Sequence, residues 1–117
     1  MGDIREKLRA RRVLVTDSPT LIADNLEYKN SVLLTNLSGF DDKIYNGSPL
    51  PVTVYLDGAK DDVSITTGYP FLGCDKMVLG FQEKAPQVPG YHRIQLWGIC
   101  EPGTQAEVAI LEGEGIL

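Results

Sequence analysis

With two cysteines, one histidine and one tryptophan in 117 residues, the chain is short of the side chains from which most active sites are built. Cys74 and Cys100 lack CxxC spacing and have too few ligand-type neighbours for zinc. Each lies in or beside an apolar run, Gly-Cys-Asp-Lys-Met-Val-Leu or Leu-Trp-Gly-Ile-Cys, so both read as buried free thiols, and no disulfide is implied. His92 sits between Tyr91 and Arg93 with no serine or cysteine in a nucleophile context such as GxSxG, and reads as an exposed or edge-strand histidine. Glycines are scattered singly between apolar segments, so no phosphate-cradling loop is present. No apolar run approaches the roughly 20 residues that span a bilayer. The start of the chain lacks the uninterrupted apolar segment of a secretory signal, and cytoplasmic synthesis is the expectation. Asn36-Leu-Ser and Asn46-Gly-Ser match a glycosylation pattern but, without secretion, read as turn chemistry. Neither catalytic residues nor a cofactor nor a metal is therefore assigned.

What the chain does have is room for one domain with an apolar core, 43% hydrophobic residues, and dense punctuation by 12 Gly and 7 Pro. Such punctuation favours many short elements over a few long helices. The net charge of −5 hides an asymmetry: residues 1–12 hold five basic and two acidic residues, and the remainder six basic and fourteen acidic. A basic N-terminal arm over 1–12 on an acidic domain over 13–117 is the organisation this predicts. Ile4, Leu8, Arg11 and Arg12 fall at helical spacing, so the arm is expected to form about two helical turns when docked. Its target is nucleic acid, an acidic protein surface or the acidic body of a neighbouring copy, and the last is the economical choice because the opposite charge is present in the same chain. Nucleic acid fits poorly, because the body would be repelled and no aromatics interleave with the basic residues. The two-residue apolar stripe is too thin for a membrane helix.

From residue 12 the period becomes that of strands. Candidates are 12–16, 30–37, 52–56, 62–66, 76–81, 92–99 and 106–111, with a small strand around Ile44-Tyr45 and a connection at 20–23. Roughly eight short strands with turn signals between them predict a mainly β fold, an antiparallel β-sandwich or jelly-roll-like barrel. Alternation nominates Val13, Val15, Val32, Leu34, Val52, Val54, Val63, Ile65, Val78, Ile94, Leu96, Val108 and Ile110 for the core. Leu33/Leu34 and Ile110/Leu111 satisfy either choice of inward face. Trp97 falls opposite Ile94 and Leu96, as an interface anchor or a roof over the core.

Asp57-Gly-Ala-Lys-Asp-Asp places three carboxylates, Asp57, Asp61 and Asp62, beside a turn. Hard oxygens of this kind suit Ca²⁺, but the alternate ligands and distant Glu of an EF-hand are missing. Asp and Gly between strands are also what a turn requires, and a connection is the reading taken. Sixteen acidic residues always supply a carboxylate pair, which is no sign of glycosidic chemistry.

Three segments, "NSVLLTNLSG", "VYLDGAKDDVSITTGYPFLGCDKMVLGF" and "IQLWGICEPGTQAEVAILEG", in this order over residues 31–113, resemble small all-β structural proteins of tailed bacteriophages. The shared features are a strand ending in "NL", a Thr-Gly-x-Pro corner, and a closing pair joined near Gly-Thr and ending in "LEG". The resemblance implies a virion component on the capsid surface, a decoration or cement protein that binds the major capsid protein and forms a homo-oligomer, commonly a trimer. It carries no catalytic motif. Charge and position assign partner binding to Ile4, Arg5, Leu8, Arg9, Arg11 and Arg12, with Trp97 as a further anchor. A head-tail or tail-fibre-base adaptor is the alternative, and a carbohydrate-binding sandwich using Tyr69, Tyr91 or Trp97 the reading from another class.

Overall fold

The computed structural model of the chain describes residues 7–26, 29–39, 50–80 and 94–114. Its strands are β1 (Lys7–Val15), β2 (Thr20–Ala23), β3 (Lys29–Asn36), β4 (Val54–Asp57), β5 (Tyr69–Phe71), β6 (Lys76–Gly80), β7 (Leu96–Ile99) and β8 (Ala106–Glu114). They form two four-stranded sheets, which we call A (order β1-β8-β3-β6) and B (order β2-β7-β4-β5). Every pairing is antiparallel.

Period-two alternation makes this a sandwich. Ala106, Val108 and Ile110 of β8, Val32 and Leu34 of β3 and Val15 of β1 bury against Ile22, Val54, Leu56 and Phe71 of sheet B. A fully buried side chain of this size contributes about 1.5–3 kcal/mol, which is what holds the two layers face to face. Gly98 in β7 leaves room for its sheet-B neighbours on the core face: a Cβ there would sit 2.6 Å from Ile22 Cδ1 and 3.0 Å from Val54 Cγ1, with Val15 Cγ1 of sheet A at 3.5 Å.

One corner is sealed by an amide. Asn36, wholly buried, donates from Nδ2 to the carbonyls of Val52 (2.8 Å) and Phe71 (2.9 Å). Its Oδ1 accepts from the Ser38 N–H (3.1 Å) and hydroxyl (2.7 Å). The amide thus ties the end of β3 in sheet A to the chain entering β4 and to β5 in sheet B. A glycan cannot reach it.

Residues 20–23, expected as a connection, are strand β2 paired with β7, and four further expectations are corrected. Residues 7–12 are not a helical arm; they are the first two-thirds of β1, paired with β8 from Lys7↔Glu114 to Arg12↔Ala109, so the sheet begins six residues before the expected domain start at 13. The edge of β8 supplies a ladder of hydrogen bonds that a lone two-turn helix would forgo. Residues 62–66 are not a strand. The Ala59 carbonyl accepts the N–H groups of Asp62 (3.2 Å) and Val63 (3.1 Å), the Ser64 carbonyl that of Gly68 (2.9 Å), and the Ser64 hydroxyl that of Thr67 (3.1 Å). These local bonds compete with a ladder. The sheet edge is instead β5, where Pro70 is tolerated because an edge strand can spare an N–H. Third, Val78, Ile65 and Ile94 are exposed; in β6 it is Met77 and Leu79 that pack on the core. Fourth, of the two cysteines only Cys100 is buried. Cys74 stands exposed in a turn at φ 67°, a left-handed conformation that breaks the strand pattern around it.

The candidate strand at Ile44-Tyr45, the Asn46 sequon, Tyr91 and His92 lie outside the described residues.

Candidate interaction surface

The outer face of sheet A is unusually apolar for a surface. Register aligns Ala10, Leu111, Leu33 and Val78 in one row straight across β1, β8, β3 and β6. On one side lies the row Leu8, Gly113, Ser31 and Gly80, on the other Arg12, Ala109, Thr35 and Lys76, followed by Leu14 and Glu107. Leu8 (63%), Leu14 (48%), Leu33 (36%), Val78 (69%) and Leu111 (39%) all keep a third or more of their surface exposed. A shallow groove of about 520 Å³ runs along this face over Ala10, Leu33, Thr35, Ala109 and Leu111. The two rows of doubled apolar residues left open by the sequence, Leu33/Leu34 and Ile110/Leu111, are thereby explained: Leu34 and Ile110 face the core, while Leu33 and Leu111 face out. Among the described residues this contiguous exposed row is the candidate contact surface.

The residues expected to bind a partner do not share one surface. Leu8 and Arg12 lie on this outer face, with Arg12 ion-paired to Glu107 across the strand at 3.0 Å. Arg9 is exposed near the start of β1. Ile4 and Arg5 lie outside the described residues. Arg11 points the other way. Its Nε (2.9 Å) and Nη2 (2.6 Å) both donate to Glu112 Oε1, and Nη2 also donates to the Ile22 carbonyl in sheet B at 2.5 Å. Glu112, only 4% exposed, takes Lys29 Nζ on its other oxygen at 3.1 Å. Arg11 is therefore a structural tie between the sheets. A buried carboxylate needs such partners, since removing one leaves an uncompensated charge.

Trp97 belongs to the opposite side of the molecule, on the outer face of sheet B beside Leu21 and Asp57. It is half-buried; its indole N–H donates to Gln95 Oε1 at 3.0 Å, and Lys60 Nζ stands 5.9 Å from the ring centroid. An ammonium at that distance is at the outer limit of a cation–π contact with the ring. At the open edge between β6 and sheet B, Leu56, Tyr69, Met77, Leu79 and Leu96 line a slot of about 450 Å³.

Reactive groups are held quiet. Cys100 donates from Sγ to the Val15 carbonyl at 3.5 Å, and burial pushes its thiol up to about 11. Asp57 caps its own turn, accepting the Gly58 N–H at 2.6 Å. Among the described residues no three His, Cys, Asp or Glu side chains converge as a metal site would require.

No family model, curated protein or solved structure matches the chain. Its function has to be argued from its own surfaces.

The outer row of sheet A was not legible as a site. Each of its members looks like an ordinary strand residue in sequence, and only the register of β1, β8, β3 and β6 brings them together. One signal was present: doubled apolar residues in β3 and β8 offer two apolar faces where a solvated sandwich needs one.

Proposed function

We propose that this is a non-enzymatic assembly protein of a virus particle, a decoration protein that binds the major capsid protein on the outside of the shell and stabilises it. The observation that carries the reading is the exposed apolar row of sheet A, bordered by a basic edge strand on an otherwise acidic chain. Such a surface is suited to burial against protein, and β1 holds Lys7, Arg9, Arg11 and Arg12 with no acidic residue. The resemblance over 31–113 points to the same class of protein. Since Arg11 is engaged by Glu112 and Arg12 by Glu107, attachment falls to Arg9 together with Ile4 and Arg5 ahead of the strand, while Leu8 belongs to the apolar face.

Removal of residues 1–12 is not a clean test, because it deletes most of β1 and exposes the edge of β8. Deletion of 1–6, alone and combined with Arg9→Glu, leaves the sheet intact. Co-sedimentation with shells assembled from the major capsid protein should fall stepwise across these variants, and shells without the protein should lose heat resistance. Unchanged co-sedimentation by the combined variant would sink attachment through this segment. Copy number separates a decoration protein, present in hundreds, from a head-tail or tail-fibre-base adaptor, present in about a dozen or fewer as a closed ring.

A further inference from the structure

We infer that the outer face of sheet A is a two-fold interface between two copies of this chain, centred on the Ala10–Leu111–Leu33–Val78 row. This rests on reading that face as an assembly surface and names what covers it.

A flat face can meet a copy of itself about a two-fold axis lying in its own plane, in two principal ways. With the axis parallel to the strands, β1 of one copy lies over β6 of the other. Arg12 and Lys76, which share a row at opposite edges of the sheet, then stack on each other twice. Like charges brought together in a desolvated contact are strongly unfavourable.

With the axis along the apolar row, each strand lies over its own counterpart, running antiparallel to it. Leu111 meets Leu111, Leu33 meets Leu33 and Val78 meets Val78. Arg12 now falls over Leu8, and Lys76 over Gly80. At Gly80 even an added Cβ would meet nothing within 4 Å, so the lysine stem has room to lie down with its ammonium at the rim. Arg12 keeps its partner Glu107. The charge pattern thus selects one arrangement. The face is matched to itself: an apolar axis row, with Lys76 over Gly80, Ala109 over Gly113, Thr35 over Ser31, and the Arg12 stem along Leu8.

The size of the contact bounds its strength. Four strands about 4.8 Å apart, over about seven residues at roughly 3.3 Å each, give on the order of 400 Å² per copy. Roughly 800 Å² in total is below a permanent dimer and in the range of weak complexes, so half-dissociation is expected at about 10–100 µM. A three-fold assembly cannot bury this face against itself, because only an isologous contact pairs a patch with its own copy.

Sedimentation velocity of the full chain from about 1 to about 300 µM should show monomer passing to dimer across that range. Leu33→Glu and Leu111→Lys should remain monomeric at the highest concentration with unchanged far-ultraviolet spectra, since both side chains already face solvent. In a Cys74→Ser background, Val78→Cys should crosslink to itself with a short bismaleimide, as it lies on the axis. Under the other axis Val78 faces Ala10, about three strand spacings from its own copy, and the single variant would not crosslink. Wild type that stays monomeric, forms a trimer, pellets with phosphatidylcholine vesicles instead, or dimerises regardless of either substitution overturns the inference. Shell binding is scored separately: a monomeric wild type that still co-sediments with shells removes the dimer and leaves the proposed function standing, whereas a dimer that ignores shells does the reverse.

Discussion

The sandwich is tied together by buried polar groups at two places, and they work in opposite ways. At the Asn36 corner the tie is neutral, and at Glu112 it is ionic. The amide of Asn36 supplies donors and acceptors at once, so the carbonyls of Val52, ahead of β4, and Phe71 in β5, and a hydroxyl and N–H from Ser38, satisfy it without any charge. The site can be closed off from water. Glu112 offers acceptors only and needs two cations, one of which, Arg11, keeps 31% of its side chain exposed. A desolvated ion pair is hard to hold without such a hydrated flank. The neutral tie can sit deep, and the charged one stays near an opening.

The sharpest way to break this comparison is Asn36→Asp, which keeps the shape but turns two donors into an acceptor aimed at the carbonyls of Val52 and Phe71. Loss of about 4 kcal/mol or more is expected by urea unfolding, enough to abolish folding of a marginal domain. Glu112→Ala should cost less, about 2–3 kcal/mol, because Arg11 can turn its guanidinium outward to water while Lys29 is left beside a void. If Glu112→Ala proved the more damaging of the two, the ranking of neutral over charged would be reversed.

A pH series probes a third buried polar group, one that anchors neither tie. The Cys100 thiol is raised in the folded state, so the unfolded chain releases its proton first as pH rises. Folded protein then binds more protons than unfolded, and stability falls with increasing pH. The decline should begin near the ordinary thiol range and run to about 11. Melting temperature followed through this window should drop less steeply in Cys100→Ala, measured against its own value at neutral pH. The smallest effect is expected at Cys74, where φ 67° strains a side chain that makes one weak contact, Sγ to the Ser38 carbonyl at 3.5 Å. Cys74→Gly should be stabilising by about 0.5 kcal/mol, the relief of a left-handed residue partly offset by glycine's greater freedom when unfolded.

Which parts were legible in the sequence follows the range of the forces involved. β4 alternates cleanly, and β3 and β8 are apolar runs bounded by turn residues, so their places as strands of a two-sheet fold could be read directly, while the doubled residues left the inward face of β3 and β8 open. Val63 and Ile65 alternate just as well, yet the hydroxyls of Ser64 and Thr67 and the turn at Ala59 captured that segment, and one valine was buried without a strand. β1 was misread because its basic residues look like a tether. Their partner Glu112 lies 101 residues from Arg11, beyond any window of local pattern. In β6 the two choices of face differ only by Met77 and Leu79 against Val78, and the pairing with β3 decides between them. The outer row of sheet A is the extreme case: a property of four registers taken together, written in no single stretch.

Pairing of β1 with β8 has one more consequence. Lys7 stands directly across the ladder from Glu114, so the incoming and outgoing chain pass within one strand spacing of each other. A short peptide joining them should make a closed ring, and the Pro102-Gly103 bend between β7 and β8, where the backbone is exposed and at φ 78°, is then a natural place to cut fresh ends. Such a rewired gene would relocate both tails to the far end of the molecule while keeping the packing of the two sheets in place.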